Sequence, residues 1–289
     1  MKALDLKKIF HKELDVIYDV NEVDSFFNLC LEHFLDIHRI QLQLDSEFSI
    51  LKKELDGFFS VLDGLKQQIP IQYILGETEF FELKFSVNPN VLIPRQETEE
   101  LVSLVLQNGK HKTQNPKRIL DIGTGSGCIA ISLAKHLDST EVYALDVSKD
   151  ALRVAKENAI SNEVNINFIH ADILDSDHCS LFFKDLEFDI IVSNPPYVRH
   201  QEKAEMLPNV LENEPHLALF VEDDSPLLFY KAITKFAVEN LKPNGQLFFE
   251  INQYLGQESK QILVNQKFKD IELLKDLNGN YRILKGTWN

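Results

Sequence analysis

Residues 119–127 read Ile119-Leu120-Asp121-Ile122-Gly123-Thr124-Gly125-Ser126-Gly127, and Cys128-Ile129-Ala130-Ile131 follow. An apolar run that breaks into glycines and resumes with helix-forming spacing reads as strand, tight turn and helix. Glycine lets the backbone turn sharply and lets a ligand come close to it. The spacing here is G-x-G-x-G. A dinucleotide fingerprint, G-x-G-x-x-G, needs a glycine or alanine where Cys128 stands. The loop therefore points to a nucleoside ligand smaller than a dinucleotide.

Strand and helix patterns alternate outward from this loop. Strands are expected at 118–122, 141–146, 165–170, 188–193 and 246–251, with helices near 127–137, 149–160, 226–240 and 255–266. Such alternation predicts an α/β fold, a mainly parallel sheet covered on both faces. Two last strands, near 271–277 and 281–285, flank Asn278-Gly279-Asn280, a hairpin signal that closes one sheet edge antiparallel.

The first quarter differs. Val23, Phe26, Phe27, Cys30, Phe34 and Ile37 recur at helical spacing, as do Phe48, Leu51, Leu55, Phe58, Leu62, Leu65 and Ile69. Two apolar stripes of this kind predict a small all-α bundle, with Ile69-Pro70 expected to end the second helix. Three segments result: a bundle at 1–75, a hairpin or linker at 76–95, and a larger domain at 96–289. Cys30, His33 and His38 lie in or near the stripes without metal-ligand spacing, so they read as core or helix surface and no metal site is expected.

Composition narrows the function. The 289 residues carry 45 acidic against 30 basic side chains, a formal charge of −15. That opposes binding by neutralising phosphates along a duplex, so no direct nucleic acid partner is expected. No apolar run spans a bilayer, the charged start Met1–Lys8 lacks a signal-peptide core, and the three cysteines are far apart. A cytoplasmic, monomeric protein without membrane attachment is the expectation.

Asp146 closes the second strand, about twenty residues beyond the loop, where a carboxylate can accept both ribose hydroxyl hydrogens. Asp172 closes the third and could receive an adenine amino group. Either acid alone reads as a turn residue or helix cap. With the loop, all at carboxyl ends of successive strands, they make a ligand edge. The fourth strand ends in Ser193-Asn194-Pro195-Pro196-Tyr197. Each proline fixes its own φ and restricts the residue before it. The Asn194 side chain and the Pro195 carbonyl become two fixed acceptors suited to a planar –NH2 group, and Tyr197 offers a flat face. Holding both hydrogens orients a resonance-weakened nitrogen for attack and stabilises positive charge developing on it.

Together the glycine loop, Asp146 and Asp172 resemble the S-adenosylmethionine site of class I methyltransferases, and Asn-Pro-Pro-Tyr resembles the branch that methylates amino groups. Further blocks look like one group in particular, the protein-glutamine methyltransferases of peptide chain release factors. They are Pro70–Gly76, Val91-Leu92-Ile93-Pro94-Arg95-Gln96-Glu97-Thr98-Glu99, Glu214-Pro215 with Ala218-Leu219, and Tyr230-Lys231. The blocks occur in family order over nearly the whole chain. Departures are Glu250-Ile251-Asn252 for E-x-G, Asn280-Tyr281-Arg282 for N-D-R, and Phe220–Ser225 for a glycine-rich stretch.

The resemblance implies a Rossmann-like, seven-stranded, mainly parallel sheet behind a helical bundle that holds the release factor. It implies methyl transfer to the glutamine of a Gly-Gly-Gln loop, with S-adenosylhomocysteine as product. Asn194, Pro195 and Tyr197 would be catalytic, with Pro196, Arg95 and Glu97 completing the substrate site. Gly123, Thr124, Gly125, Ser126 and Gly127 would contact the methionine moiety, Asp146 the ribose, and Asp172 with Ile173 the adenine; Asn194 borders both ligands. An adenine or RNA amino-methyltransferase is the alternative, opposed by the acidic balance and the lack of a second large insert. An oxidoreductase is opposed by Cys128, and a non-catalytic adaptor by the intact loop, Asp146 and Asn-Pro-Pro-Tyr.

Overall fold

Along the strand 117–122 successive side chains enter different cores, as the period of two demands. Ile119 joins Val142, Ala144, Ile190, Val192 and Phe248 on one face of a sheet. Leu120 joins Ile122, Leu145, Ile191, Leu247 and Phe249 on the other. Both faces are apolar because both are covered by helices. The computed structural model describes residues 1–45, 47–109, 117–184 and 186–289.

The described chain forms two compact units, Met1–Glu77 with Leu207–Asn213, and Thr78–Met206 with Glu214–Asn289. The second holds a hairpin of β1 (Glu77–Phe80, all but its first residue) and β2 (Leu83–Ser86), then β3 (Lys117–Ile122), β4 (Thr140–Asp146), β5 (Ile166–His170) and β6 (Phe188–Ser193). After a short pair, β7 (Val198–Arg199) and β8 (Phe220–Val221), come β9 (Leu241–Glu250), β10 (Lys269–Lys275) and β11 (Tyr281–Thr287). The main sheet has seven strands in the order β10-β11-β9-β6-β3-β4-β5. β11 runs antiparallel to both its neighbours, and the pairings from β9 through β5 are parallel. The seven-stranded α/β expectation stands, with β9 starting five residues earlier than its sequence pattern suggested.

The first unit contains α1 (Ala3–Leu14), α2 (Val20–Leu35), α3 (Arg39–Leu44), α4 (Lys52–Lys66) and α5 (Ile71–Leu75). In the second, α6 (Gln96–Gly109), α7 (Cys128–His136) and α8 (Lys149–Ser161) precede α9 (Ser176–Phe183). A one-and-a-half-turn α10 (Pro208–Asn213) belongs with the first unit. It is followed by α11 (His216–Leu219), α12 (Leu228–Asn240) and α13 (Gly256–Asn265) in the second.

The α2 stripe is buried as its spacing implies, through Val23, Phe26, Phe27, Cys30 and Leu31. Asp19 caps the helix by accepting from Asn21 N at 2.8 Å, which satisfies one of the free N–H groups of the first turn. Phe10, Phe27 and Phe58 meet at the bundle centre, with ring centroids 5.3, 5.9 and 6.5 Å apart. Phe27→Ala is expected to destabilise this unit by about 3–5 kcal/mol, the usual cost of emptying a packed aromatic site. Urea unfolding followed by circular dichroism reads this, and a loss below about 1 kcal/mol would show the trio is not a keystone.

One expectation is corrected. Pro70 does not end α4, which stops at Lys66. Gln68 takes a left-handed φ of 59°, Ile69 N reaches back to Gly64 O at 3.2 Å, and Pro70 then opens α5. Proline is excluded from helix interiors but suits a helix start. Phe48 and Leu51 likewise precede α4, in a segment whose Phe48 O accepts from Ala3 N at 2.9 Å.

Candidate active site

The chain runs β3 to β4 to β5 in one direction, then returns to place β6 on the opposite side of β3. The order of strands reverses between β3 and β6, and a crevice opens beyond their carboxyl ends at such a reversal. Gly123 leaves β3 and Asn194 leaves β6 at that place, and Ser193 Oγ donates to Ile122 O at 2.7 Å between the two strand ends. A cavity of about 250 Å³ lies there.

Gly123, Gly125 and Gly127 all have positive φ, 76°, 55° and 83°. The loop is anchored to β4, because Gly123 N and Thr124 N both donate to Leu145 O, at 2.8 and 3.0 Å. Gly123, Thr124, Gly125 and Ser126 line the cavity. A Cβ on Gly125 would meet no neighbour within 4 Å, so this is open room against the backbone. Gly127 does not line the cavity; its missing Cβ would strike Ile131 and Ala155 at 2.9 and 3.1 Å. It lets α7 pack against α8, which is a structural use of the third glycine.

Asp146 and Asp172 lie on the cavity wall with Ile173. Asp146 is 9% exposed. Its Oδ2 accepts from Gly125 N at 2.9 Å and its Oδ1 from Ser148 N at 2.8 Å. One carboxylate thus braces the glycine loop and the start of α8, with a further lone pair on each oxygen for hydroxyl donors. Burial raises its pKa, against the lowering effect of those N–H groups. Asp172 Oδ1 accepts from Leu174 N at 2.9 Å, leaving Oδ2 for an amino group.

Asn194, Pro195 and Pro196 line the same cavity, as does Thr98 of α6. Asn194 Nδ2 donates to Thr98 Oγ1 at 3.2 Å. Thr98 Oγ1 donates in turn to Glu250 Oε2 at 2.6 Å. Tyr197 Oη donates to the other oxygen, Glu250 Oε1, at 3.0 Å. Glu250, the last residue of β9, is 2% exposed, and its pKa is raised by burial. The Tyr197 phenol is pushed well above 10, chiefly by burial and then by Glu250, so it stays neutral. Tyr197 lines a neighbouring cavity of about 200 Å³ with Glu202, Asn252 and Arg282, and is not on the wall that Asn194 shares. Its hydroxyl belongs to the buried network.

Arg95 and Glu97 also lie off that wall. Arg95 Nη2 pairs with Glu214 Oε1 at 2.5 Å, and the Glu214 side chain is 1% exposed. Glu214 Oε2 also accepts from Ile93 N at 3.4 Å. This pair clamps two segments that do reach the cavity, Pro89–Leu92 with Pro94, and Pro215 with Leu217 and Ala218. Among the described residues no cluster of His, Cys, Asp or Glu could hold a metal ion.

Residues 98–217 match the methyltransferase small domain, and residues 19–76 match the PrmC N-terminal domain. A release factor glutamine methyltransferase of Flavobacterium psychrophilum is 53% identical over 96% of this chain and 95% of its own length. The chain belongs to the release factor glutamine methyltransferase family. A second member, from Bacteroides thetaiotaomicron, is 40% identical over 94% of this chain and 95% of its own. Among solved structures, a 16S rRNA N2 methyltransferase of T. Thermophilus in complex with AdoMet and guanosine superposes with a TM-score of 0.53. It is 18% identical and covers 74% of this chain and 50% of its own, a likeness of fold alone.

Within this release factor glutamine methyltransferase family member, the departures were expected to lie outside the clamp, yet one of them, Asn252, touches it. Asn252 Nδ2 donates to Tyr197 O at 3.0 Å and to Glu202 Oε2 at 2.9 Å. Arg282 Nη1 donates to Tyr197 Oη at 3.5 Å, and its Nε to Asp276 Oδ2 at 3.2 Å. Thr98 and Glu250 were missed as site residues. Their family blocks marked them, but their 152-residue separation hides the contact between them.

Asp121 adds a pH dependence. It lies beneath the loop, accepts from Thr124 Oγ1 at 2.6 Å, and burial pushes its pKa from 3.8 up to about 7. The unfolded chain loses this proton near pH 4 and the folded chain near 7. The folded state binds more protons in that window, so its stability falls as pH rises from about 4 to 7 and is then level. Asp121→Asn is expected to remove this component. Its thermal midpoint, measured against the parent chain, should gain between pH 4 and 7; a constant difference would rule the assignment out.

Proposed function

We propose that the chain transfers a methyl group from S-adenosylmethionine to the side-chain amide nitrogen of the glutamine in the Gly-Gly-Gln loop of bacterial class 1 peptide chain release factors. The observation that carries this reading is the held amide of Asn194 beside the glycine loop, in a chain 53% identical to a release factor glutamine methyltransferase. The residues present fit the cofactor: open backbone room at Gly125, a braced carboxylate at Asp146, and a free acceptor at Asp172. Gly123 to Ser126 would hold its methionine moiety, Asp146 its ribose, and Asp172 with Ile173 its adenine. When bound, it supplies an electrophilic methyl group on a sulfonium.

An amide nitrogen is a poor nucleophile because its lone pair is delocalised into the carbonyl. Asn194 accepts one hydrogen of the substrate –NH2, and the Pro195 carbonyl accepts the other. Two fixed acceptors orient the nitrogen and stabilise the positive charge that grows on it. No strong base precedes attack, since the proton can leave afterwards. Tyr197 contributes through the Glu250 network, and Arg95 with Glu214 shapes the approach. The helical unit, residues 1–75, would hold the release factor. A cytoplasmic, monomeric enzyme without nucleic acid or membrane partners fits this role; no helix among the described residues is long and apolar enough to cross a membrane.

Incubation with methyl-labelled cofactor and a release factor tests the reading. Label should enter the release factor and vanish when the Gly-Gly-Gln glutamine is replaced. Labelling that survives this replacement, or that enters a nucleic acid instead, would overturn it.

A further inference from the structure

An asparagine side chain has nearly the same shape either way round, so only its partners decide which end is oxygen. Here the partner is Thr98 Oγ1, 3.2 Å from Asn194 Nδ2. A hydroxyl has one hydrogen to give. That hydrogen goes to Glu250 Oε2 at 2.6 Å, so the Thr98 oxygen can only accept from Asn194. The other carboxylate oxygen is also an acceptor, because Tyr197 donates to it at 3.0 Å while its own oxygen receives Arg282 Nη1 at 3.5 Å. With Glu250 ionised, hydrogens along Arg282, Tyr197, Glu250, Thr98 and Asn194 have one consistent arrangement. Thr98 and Glu250 are each 2% exposed, so no bulk water competes for these positions.

The arrangement ends with the Asn194 NH2 turned to Thr98 and Oδ1 left for the cavity. A substrate –NH2 group needs that acceptor. The reversed amide would set donors against donors, and would suit a carboxylate instead.

We propose that Glu250, acting through the Thr98 hydroxyl, sets the polarity of the Asn194 amide and so makes the site select an amide over a carboxylate. Glu250 is a positioning residue, and Thr98 carries its effect. The inference rests on the glutamine reading given above and names what enforces it.

Glu250→Gln tests this with almost no change of volume. A glutamine NH2 can donate to Thr98, whose hydroxyl is then free to donate to Asn194 Oδ1 and turn the amide over. The expected kcat for release factor methylation falls roughly ten- to hundredfold, while cofactor affinity by calorimetry stays within about twofold. Preference for the release factor over its Gln-to-Glu counterpart, measured by binding, should fall by at least about tenfold. Thr98→Val should lose as much kcat as Glu250→Gln, and Thr98→Ser, which keeps the hydroxyl, should recover most of that loss. This pair decides the matter if Glu250→Gln fails to fold.

A readout without substrate separates the two readings. The side-chain 15NH2 resonances of Asn194, assigned by their loss in an Asn194 variant, should shift or double in Glu250→Gln and hold in Thr98→Ser. Unchanged resonances with unchanged amide preference would overturn the inference. Absence of methylation by the parent chain would overturn the functional reading alone, and the resonances would still decide the role of Glu250.

Discussion

Asn194→Ala is expected to lower methyl transfer by roughly two to three orders of magnitude, the usual loss when a group aimed at developing charge is removed. The side chain lies on the cavity wall with both prolines, and its amide is held from behind by Thr98. Alanine removes the acceptor and leaves the planar substrate amide free to turn about the single bond that joins it to the side-chain methylene, so orientation and charge stabilisation are lost together. The glycine loop and Asp146 stay in place, because their anchors are Leu145 O, Gly125 N and Ser148 N, none of which involves Asn194. Cofactor affinity by calorimetry should therefore stay within a few-fold while single-turnover methylation collapses. If affinity collapsed and the single-turnover rate held, Asn194 would belong to the cofactor site.

Asp146→Ala is expected to show the opposite pattern, weakening cofactor binding roughly a hundredfold, about 3 kcal/mol. Hydrogen bonds to a charged group contribute about 1.5–3 kcal/mol each, and two ribose hydroxyls would lose their acceptor. The same substitution releases Gly125 N and Ser148 N, so the loop also loses its brace. Asp146→Asn is no milder substitute. Its NH2 must face one of those two backbone N–H groups, setting donor against donor in a site only 9% exposed. At saturating cofactor the methylation rate should recover to within about tenfold of the parent. Unchanged affinity in Asp146→Ala would remove it from the ribose site.

Those two variants touch the part of the site that short-range pattern made visible. Asp146 ends a strand and Gly123 and Asn194 each directly follow one, and strand ends are legible because the apolar pattern stops there. The parallel order of strands then brings them together. Gly127 shows the limit of such reading: one loop glycine serves helix packing, and only the neighbours Ile131 and Ala155 reveal it. Phe81 and Glu82 show another. Both have positive φ, 50° and 62°, in a two-residue turn where glycine or asparagine is usual. Tertiary contacts hold the turn: Phe81 N donates to Glu99 Oε1 at 2.8 Å, and its ring meets His136 at 5.2 Å. No local propensity announces that. Glu250 and Thr98 were hidden for the same reason, since hydrogen bonding across 152 residues has no sequence period. Pro70, expected as a stop for one helix and found at the start of the next, was ambiguous in principle because proline suits both.

The residues Leu207–Asn213 belong with the helical unit although they lie far along the chain, and Asn213 Nδ2 donates to Gln68 O at 3.3 Å. This has a consequence for the order of events during synthesis. Domains commonly fold as units from the N-terminus while the chain is still emerging. Here the apolar core of the unit is drawn from residues between Ala3 and Ile71, so it can pack early, whereas α10, which buries no residue, joins it only after β3 through β6 have been made. The helical unit, first to begin, gains its last helix only after most of the catalytic strands exist. A ribosome stalled before Leu207 would carry that unit with its last helix still unmade.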